Sequence, residues 1–308
     1  PVLLILSGMS GFRVKVYRNG SRLEFLPSLV DILQTDDPKG VVSDNEVKVD
    51  LCLKNERLLI SCNTISKISS DYYRAVNLKR PSFCPFRCLP KNMASEIPQE
   101  IKCQGVDVGV ALLLESMDHK VLLTRRSQHM RTFPGVWVPP GGHIDKNETL
   151  TDAVCRELKE ETGVVVKDSS IDVLGLWEST YPPCLEWGLP KRHHIVIYMH
   201  CNHSEHSREI NKNIKLQIEE TDSCIWVSSS EISNTKSDTH KCNDHEIITC
   251  SQLVNGGTVE KQMVINHLLA DFSKNKTESG NNERISTGTK YALKLWLDKV
   301  FSHQYLIY

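Results

Sequence analysis

Apolar residues recur along this chain with two different periods, and the change of period divides it into parts. From Phe12 to Tyr17 apolar and basic residues alternate, Asn19-Gly20 supplies a two-residue hairpin signal, and Val47, Val49, Leu51 and Leu53 alternate again. Period two belongs to a strand with one buried face, so residues 1–102 are predicted to form a small β-rich N-terminal domain, either separate or appended as extra sheet. The opening run Pro1 to Leu6 reads as a buried strand. It has no basic stretch before it and no small-residue cleavage site after it, which argues against a signal peptide. Pro81, Pro85 and Pro90, set around Cys84 and Cys88, close this part with a stretch predicted to lack regular structure. The two cysteines are half of a metal-ligand spacing without a second half.

From Val106 the pattern reads strand, strand, loop, helix, strand, strand. The strands are Val108 to Leu114, Val121 to Thr124, Val173 to Trp177, Ile195 to Met199 and Ile225 to Val227, and the helix runs from about Thr149 to Thr162. One helix enclosed by strands argues for an α/β layer fold over residues 103–248. Two polar inserts, Asn202 to Asn213 and Ser233 to His245, read as solvated loops. His240, Cys242 and His245 in the second have nearly ligand-like spacing, but polar loops gather such residues by chance and a zinc site is not favoured. In residues 249–308, Val259 to Phe272 is predicted as a helix with a stripe of Met263, Val264, His267 and Leu268. Tyr291 to Phe301, with Leu293, Leu295, Trp296 and Leu297, is a second. Both are expected to dock on the main domain in preference to binding a partner.

Charge and composition narrow the partners. Lysine and arginine total 37 against 38 aspartate and glutamate, so no global field draws the chain to nucleic acid or an anionic membrane. No apolar run approaches the roughly 20 residues needed to span a bilayer. Eleven cysteines without a C-x-x-C spacing fit reduced thiols and a cytoplasmic location. The sequon Asn147-Glu148-Thr149 falls inside the candidate site, which argues against a secretory route.

The chemistry concentrates between Gly142 and Val164. Within the predicted helix, Leu150, Ala153, Val154 and Leu158 form the buried stripe, and Glu157, Glu160 and Glu161 share another face. Three carboxylates on one face repel one another unless a cation neutralises them, and hard oxygen donors suit Mg²⁺ or Mn²⁺. Gly163 is placed to stop the helix in the left-handed conformation. Gly141-Gly142 lets the backbone approach an ion, and Arg156 is placed to pair with Glu148 or Glu160. An amphipathic surface helix rich in glutamate would share the i, i+4 pairing. It would not require the Gly-Gly loop, the glutamate six residues after Gly142 and the terminal glycine.

Gly142, Glu148, Arg156, Glu157, Leu158, Glu160, Glu161, Gly163 and Val164 together resemble the Nudix box, with nine of nine defining positions met. The resemblance covers residues 103–248. It implies an α/β/α sandwich around a mixed sheet, a divalent metal, and water attack on a phosphorus of a nucleoside diphosphate derivative. Glu157 and Glu161 are implied as main metal ligands, Glu160 as a further ligand and Gly142 as a backbone ligand. Two residues compete as general base: Glu157 inside the box, and Glu220 just before the strand Cys224 to Val227.

Three further stretches resemble a branch of the family that hydrolyses the 7-methylguanosine cap of mRNA. They are Val121 to Arg126 with Trp137 to His143, Gly175 to Pro183 with Trp187 to Ile195, and Ile285 to Trp296. A methylated guanine is cationic and stacks on aromatic faces, so Trp177, Tyr181 and Trp187 are candidate substrate contacts, with core packing the alternative for Trp177. The Lys191-Arg192-His193-His194 group could meet the triphosphate or the RNA backbone. Leu122 to Ser127, Arg131, Gly135 and Pro140-Gly-Gly142 instead resemble the coenzyme A pyrophosphatase signature, with Pro139 where that signature has phenylalanine; Arg126 and Arg131 would serve that substrate. The chain ends Tyr305-Leu-Ile-Tyr308 without a peroxisomal tripeptide. The expected partner is therefore capped RNA or a small nucleotide diphosphate, with neither membrane nor DNA involved and the oligomeric state open. A third reading is a Nudix fold that binds nucleotide or RNA without cutting it, against which every box carboxylate is present.

Overall fold

The computed structural model describes residues 13–36, 40–63, 65, 71–166, 171–233, 247–254, 257–269 and 284–304. The opening run Pro1 to Leu6 and the His240, Cys242, His245 group lie outside them.

The alternating N-terminal stretches form strands. β1 (Lys15–Arg18) and β2 (Ser21–Arg22) are joined by Asn19 and Gly20 at φ 49° and 81°, the positive values that a tight hairpin turn demands. Helix α1 (Leu29–Asp36) follows, then β3 (Val41–Ser43), β4 (Glu46–Lys54), β5 (Arg57–Ser61) and β6 (Tyr72–Lys79). The proline-rich stretch is not irregular. It folds into three short helices, α2 (Pro85–Cys88), α3 (Lys91–Glu96) and α4 (Gln99–Lys102), with Pro85 as the first residue of α2, and Pro90 and Pro98 immediately preceding α3 and α4. A first helical turn has no intrahelical use for its N–H groups, so proline there begins a helix where further inside it would break one. Cys84 is buried against Phe25, Phe86 and Ile97, a core position and not a ligand's.

The remaining chain supplies β7 (Asp107–Glu115), β8 (Lys120–Arg126), β9 (Val136–Val138), β10 (Gly141–His143), α5 (Leu150–Thr162), β11 (Asp172–Tyr181), β12 (Arg192–Asn202), α6 (Ser207–Asn213), β13 (Thr221–Ser228), α7 (Ser229–Ser233), β14 (Ile247–Val254), β15 (Gly257–Val264), α8 (Ile265–Leu269), β16 (Arg284–Ile285) and α9 (Thr287–Gln304). Two expectations fail here. The insert Asn202 to Asn213 contains helix α6. The stripe placed on a helix from Val259 to Phe272 is split, with Met263 and Val264 in strand β15, antiparallel to β14 along its whole length, and His267 and Leu268 in the short α8. The backbone bonds offered by β14 override the helical spacing.

The sheet is mixed and runs β13-β8-β7-β12-β11-β6 through its centre. β7 and β12 are parallel, β11 and β12 antiparallel, and β10 pairs with β7 on the side away from β12. β6 continues the sheet into the N-terminal strands, and β1 returns to touch β7 at Lys15 and Asp107. Alternation along β7 feeds two cores. Val108, Val110, Leu112 and Leu114 face a cluster shared with Leu150, Ala153, Val154 and Leu158 of α5 and Leu29 and Leu33 of α1, while Ala111 and Leu113 face another shared with Tyr291, Leu293 and Trp296 of α9. A strand buried on both faces between helical layers is an α/β/α sandwich.

Candidate active site

Helix α5 owes its start and stop to its own sequence. Thr149 accepts from the Asp152 N–H at 3.0 Å, and the Asp152 carboxylate accepts from the Thr149 N–H at 3.1 Å, a reciprocal capping box. Gly163 ends the helix at φ 74°. Just beyond, the Lys215 N–H donates to the Thr162 carbonyl at 2.8 Å and the Gln217 N–H to the Glu161 carbonyl at 3.2 Å. The loop before β13 is thus fastened to the end of α5, and it carries Glu220.

Ligand oxygens of Glu157, Glu161 and Glu220 all lie within 4.8 Å of one another. Glu157 and Glu161 are buried and Glu220 is half-buried. Burial, and then the charge of neighbouring carboxylates, lifts Glu161 to about 8. Burial likewise lifts Glu157 to about 7, even with the Arg156 guanidinium beside it. Gly141 and Gly142 allow this packing. A Cβ on Gly142 would lie 2.4 Å from Glu157 Oε1, and one on Gly141 would lie 2.1 Å from the Val110 carbonyl. Glu161 accepts from the Gly141 N–H at 3.4 Å and the Thr124 hydroxyl at 3.3 Å.

Arg156 does not reach into the cluster's centre but frames it. Its Nε and Nη2 grip Glu148 at 2.6 and 3.0 Å, Nη1 donates to Glu157 at 2.9 Å and Glu160 at 3.0 Å, and Nη2 also donates to the His143 carbonyl at 2.8 Å. The pairing expected with Glu148 or Glu160 is made with both. Glu160, about half exposed, points to Arg156 and is not among the three clustered carboxylates. Arg156 thus ties the carboxylates of Glu148, Glu157 and Glu160 together.

A cavity of about 250 Å³ adjoins the Gly-Gly loop. Trp177, Tyr181 and Arg126 line it, as do Arg192 and His194. Trp177 is also a core residue, 7% exposed with its ring 5.4 Å from Tyr291, so it lines the cavity and packs in the core at once. Arg126 is anchored by its Nε to the Thr132 carbonyl at 3.1 Å. Trp187 is brought elsewhere. It sits on a 3₁₀ turn at Leu185–Trp187, 48% exposed and outside the cavity lining, and Arg131 is likewise exposed and outside it. Aromatic wall residues that escaped the sequence include Phe83, far away in the chain, and Phe133, whose ring packs edge-on to Tyr181 at 5.0 Å. The left-handed φ of 53° at Phe133 has no local signature that could have announced it. Ser286, Thr287 and Gly288 at the start of α9 complete the lining, brought there by the β16–β9 pairing of Ile285 with Trp137.

Residues 105–247 match the NUDIX domain model. The chain is 40% identical over 250 residues to the m7GpppN-mRNA hydrolase NUDT17 of Xenopus laevis, covering 80% of this chain and 81% of that one. It is 35% identical over 258 residues to the Homo sapiens protein of the same name, covering 80% and 76%. Among solved structures, a MutT protein from Methanosarcina mazei is similar over 41% of this chain and 78% of its own, at 27% identity and a TM-score of 0.33.

Proposed function

The chain belongs to the Nudix family of hydrolases, and on that premise we propose that it cuts the 7-methylguanosine cap of mRNA, in the cytoplasm, using Mg²⁺ or Mn²⁺. The observation that carries the reading is a cavity combining aromatic walls, Tyr181 and Trp177, with the cations Arg126 and Arg192, and adjoining the loop that abuts the carboxylate cluster. A cationic methylated guanine suits the first and a triphosphate the second. The names of the relatives agree.

The donor set fits a hard divalent ion. Glu157, Glu161 and Glu220 crowd negative charge in a partly buried site, and the lift on the first two marks charge the protein alone leaves under-neutralised. Glu157 and Glu161 would hold the ion, with the Gly142 backbone as a further donor and Glu220 beside them; Glu160 would join only by leaving Arg156. When bound, it neutralises the cluster and stabilises charge developing on the phosphate oxygens. Arg156 fixes the Glu157 carboxylate, and Thr124 with the Gly141 N–H fixes Glu161. Between the two candidate bases, Glu220 is favoured over Glu157 because it is the cluster member that solvent reaches. It takes a proton from the attacking water as the new P–O bond forms, and the bridging P–O bond breaks to release the second phosphate. Arg126 and Arg192 steady the phosphates. No helix among the described residues is long and apolar enough to cross a membrane, and none of the ten cysteines among them is joined in a disulfide.

Competition in one tube tests the substrate. Capped RNA should release 7-methylguanosine mono- or diphosphate with a higher kcat/KM than coenzyme A esters release 3′,5′-adenosine diphosphate. The reverse order would assign the site to coenzyme A derivatives, and binding without either product would make the chain a non-catalytic nucleotide or RNA binder.

A further inference from the structure

The segment that leaves β6 forms a wall of the cavity, although it precedes the residues that match the domain model. β6 runs parallel to β11 with Lys79 opposite Trp177. Just beyond, the chain turns at Pro81 to Cys84, where the Cys84 N–H donates to the Pro81 carbonyl at 3.1 Å, and Pro81 and Phe83 line the cavity together with Ser179 and Tyr181 of β11. The cavity floor crosses β10, β7, β12 and β11: Gly142 and His143 pair with Val110 and Gly109, Gly109 with Val196, and Val196 with Trp177. Three strand spacings of about 4.8 Å put β11 roughly 14 Å from the Gly-Gly loop. That leaves room for phosphates and a ribose between the carboxylates and whatever binds beside β11.

This wall is built in advance. Arg80, 1% exposed, donates to the Ser28 hydroxyl at 2.6 Å and the Asp44 carbonyl at 2.9 Å, and pairs with Asp31 at 2.6 Å. Phe86 packs its ring 4.5 Å from His193, the neighbour of Arg192 and His194. Phe133 takes a left-handed φ of 53°, a conformation that clusters at ligand clamps, and its ring packs 5.0 Å from Tyr181. An aromatic wall beside a groove lined by strand backbone suits a flat ring.

We propose that Phe83 and Phe133, with Tyr181, form the seat for the purine base of a nucleotide substrate. The N-terminal segment thereby takes part in setting substrate specificity. The proposal rests on the diphosphate-hydrolase reading of the site, but not on which purine is bound.

Equilibrium binding to the full chain tests it, with 7-methylguanosine diphosphate, ADP and base-free ribose 5-diphosphate as probes. Phe83→Ala and Phe133→Ala are each expected to weaken the preferred nucleotide about 5- to 150-fold, the range that stacking on one base supplies. Base-free ribose diphosphate should bind unchanged, and Phe83→Trp should restore nucleotide affinity. Phe83 is 36% exposed, so its truncation leaves the core intact. Unchanged nucleotide affinity in both alanine variants would overturn the proposal, as would equal weakening of the base-free probe. If ADP proves the preferred ligand and Phe83→Ala weakens it selectively, the seat stands while the cap assignment falls.

Discussion

Glu178 and Glu161 are both buried, 0% and 5% exposed, yet their surroundings push them in opposite directions. Burial alone would raise Glu178, but it accepts from His193 Nε2 at 2.9 Å, the Leu29 N–H at 2.7 Å, the Ser28 hydroxyl at 2.8 Å and the Val30 N–H at 3.2 Å, and together these hold it below the usual carboxylate range. Glu161 has two long hydrogen bonds and a carboxylate neighbour, and it rises to about 8. A buried carboxylate with four donors joins pieces of the fold. One pressed against other carboxylates lacks a countercharge, and that deficit is the mark of a site.

The contrast is sharpest in what removal does. Chelation of divalent metal should abolish hydrolysis, with recovery on adding Mg²⁺ or Mn²⁺; full turnover in chelator would refute the cluster's role. Glu161→Gln should lower turnover at least about 10²-fold, and because it removes an under-neutralised charge it should also raise the melting temperature measured in chelator. A lower melting temperature there would put Glu161 in the same class as Glu178.

Glu220 comes next. Glu220→Gln should lower kcat about 10²-fold while the metal concentration giving half-maximal activity stays within a few-fold. A large rise in that concentration would make Glu220 chiefly a ligand and return the base to Glu157.

The box was legible because its physics is local. The capping box at Thr149, the apolar stripe and Gly163 all act within one helix, so spacing alone locates α5. Glu220 was accessible to sequence reasoning only as one acidic residue among several; what singles it out is the anchoring of residues 215–217 to the end of α5. Position near the other aromatics misled for Trp187, since the turn at Leu185–Trp187 directs it to solvent. Phe83 enters the cavity through the pairing of β6 with β11, a contact between residues about 100 apart that no window along the chain can contain. The stripe at Met263 and Val264 fits helix and strand alike, and the partner strand β14 decides it.

On the other side of the comparison, Glu178→Ala should cost about 3–5 kcal/mol of stability, because it strands the His193 ring, the Ser28 hydroxyl and two α1 N–H groups without an acceptor. Denaturant unfolding measures it. A loss below about 1 kcal/mol would mean that α1 and the following wall are held by apolar packing instead.

The smallest effect belongs to Glu115, which repeats the Glu178 pattern at the far end of β7. Its carboxylate accepts from His200 Nε2 at 2.7 Å and Trp296 Nε1 at 2.7 Å, and it contacts His119 Nδ1 at 2.6 Å. Lys299 Nζ lies 3.2 Å from His200 Nδ1 and can only donate, which assigns the His200 proton to Nε2 and aims it at Glu115. Burial opposes ionisation, but the bonds from His200, His119 and Trp296 outweigh it and hold the carboxyl at about 2. A pKa below that of the unfolded chain means the unfolded state binds the proton first, so the stabilisation is complete above about pH 4.5 and is lost as pH falls toward 2. The loss should reach at most about 3 kcal/mol. Acid unfolding of wild type against Glu115→Gln measures it: the wild type should lose its advantage through this window. An advantage that stays constant from pH 6 to pH 2.5 would show that the hydrogen bonds at Glu115 hold α9 to the sheet regardless of its charge.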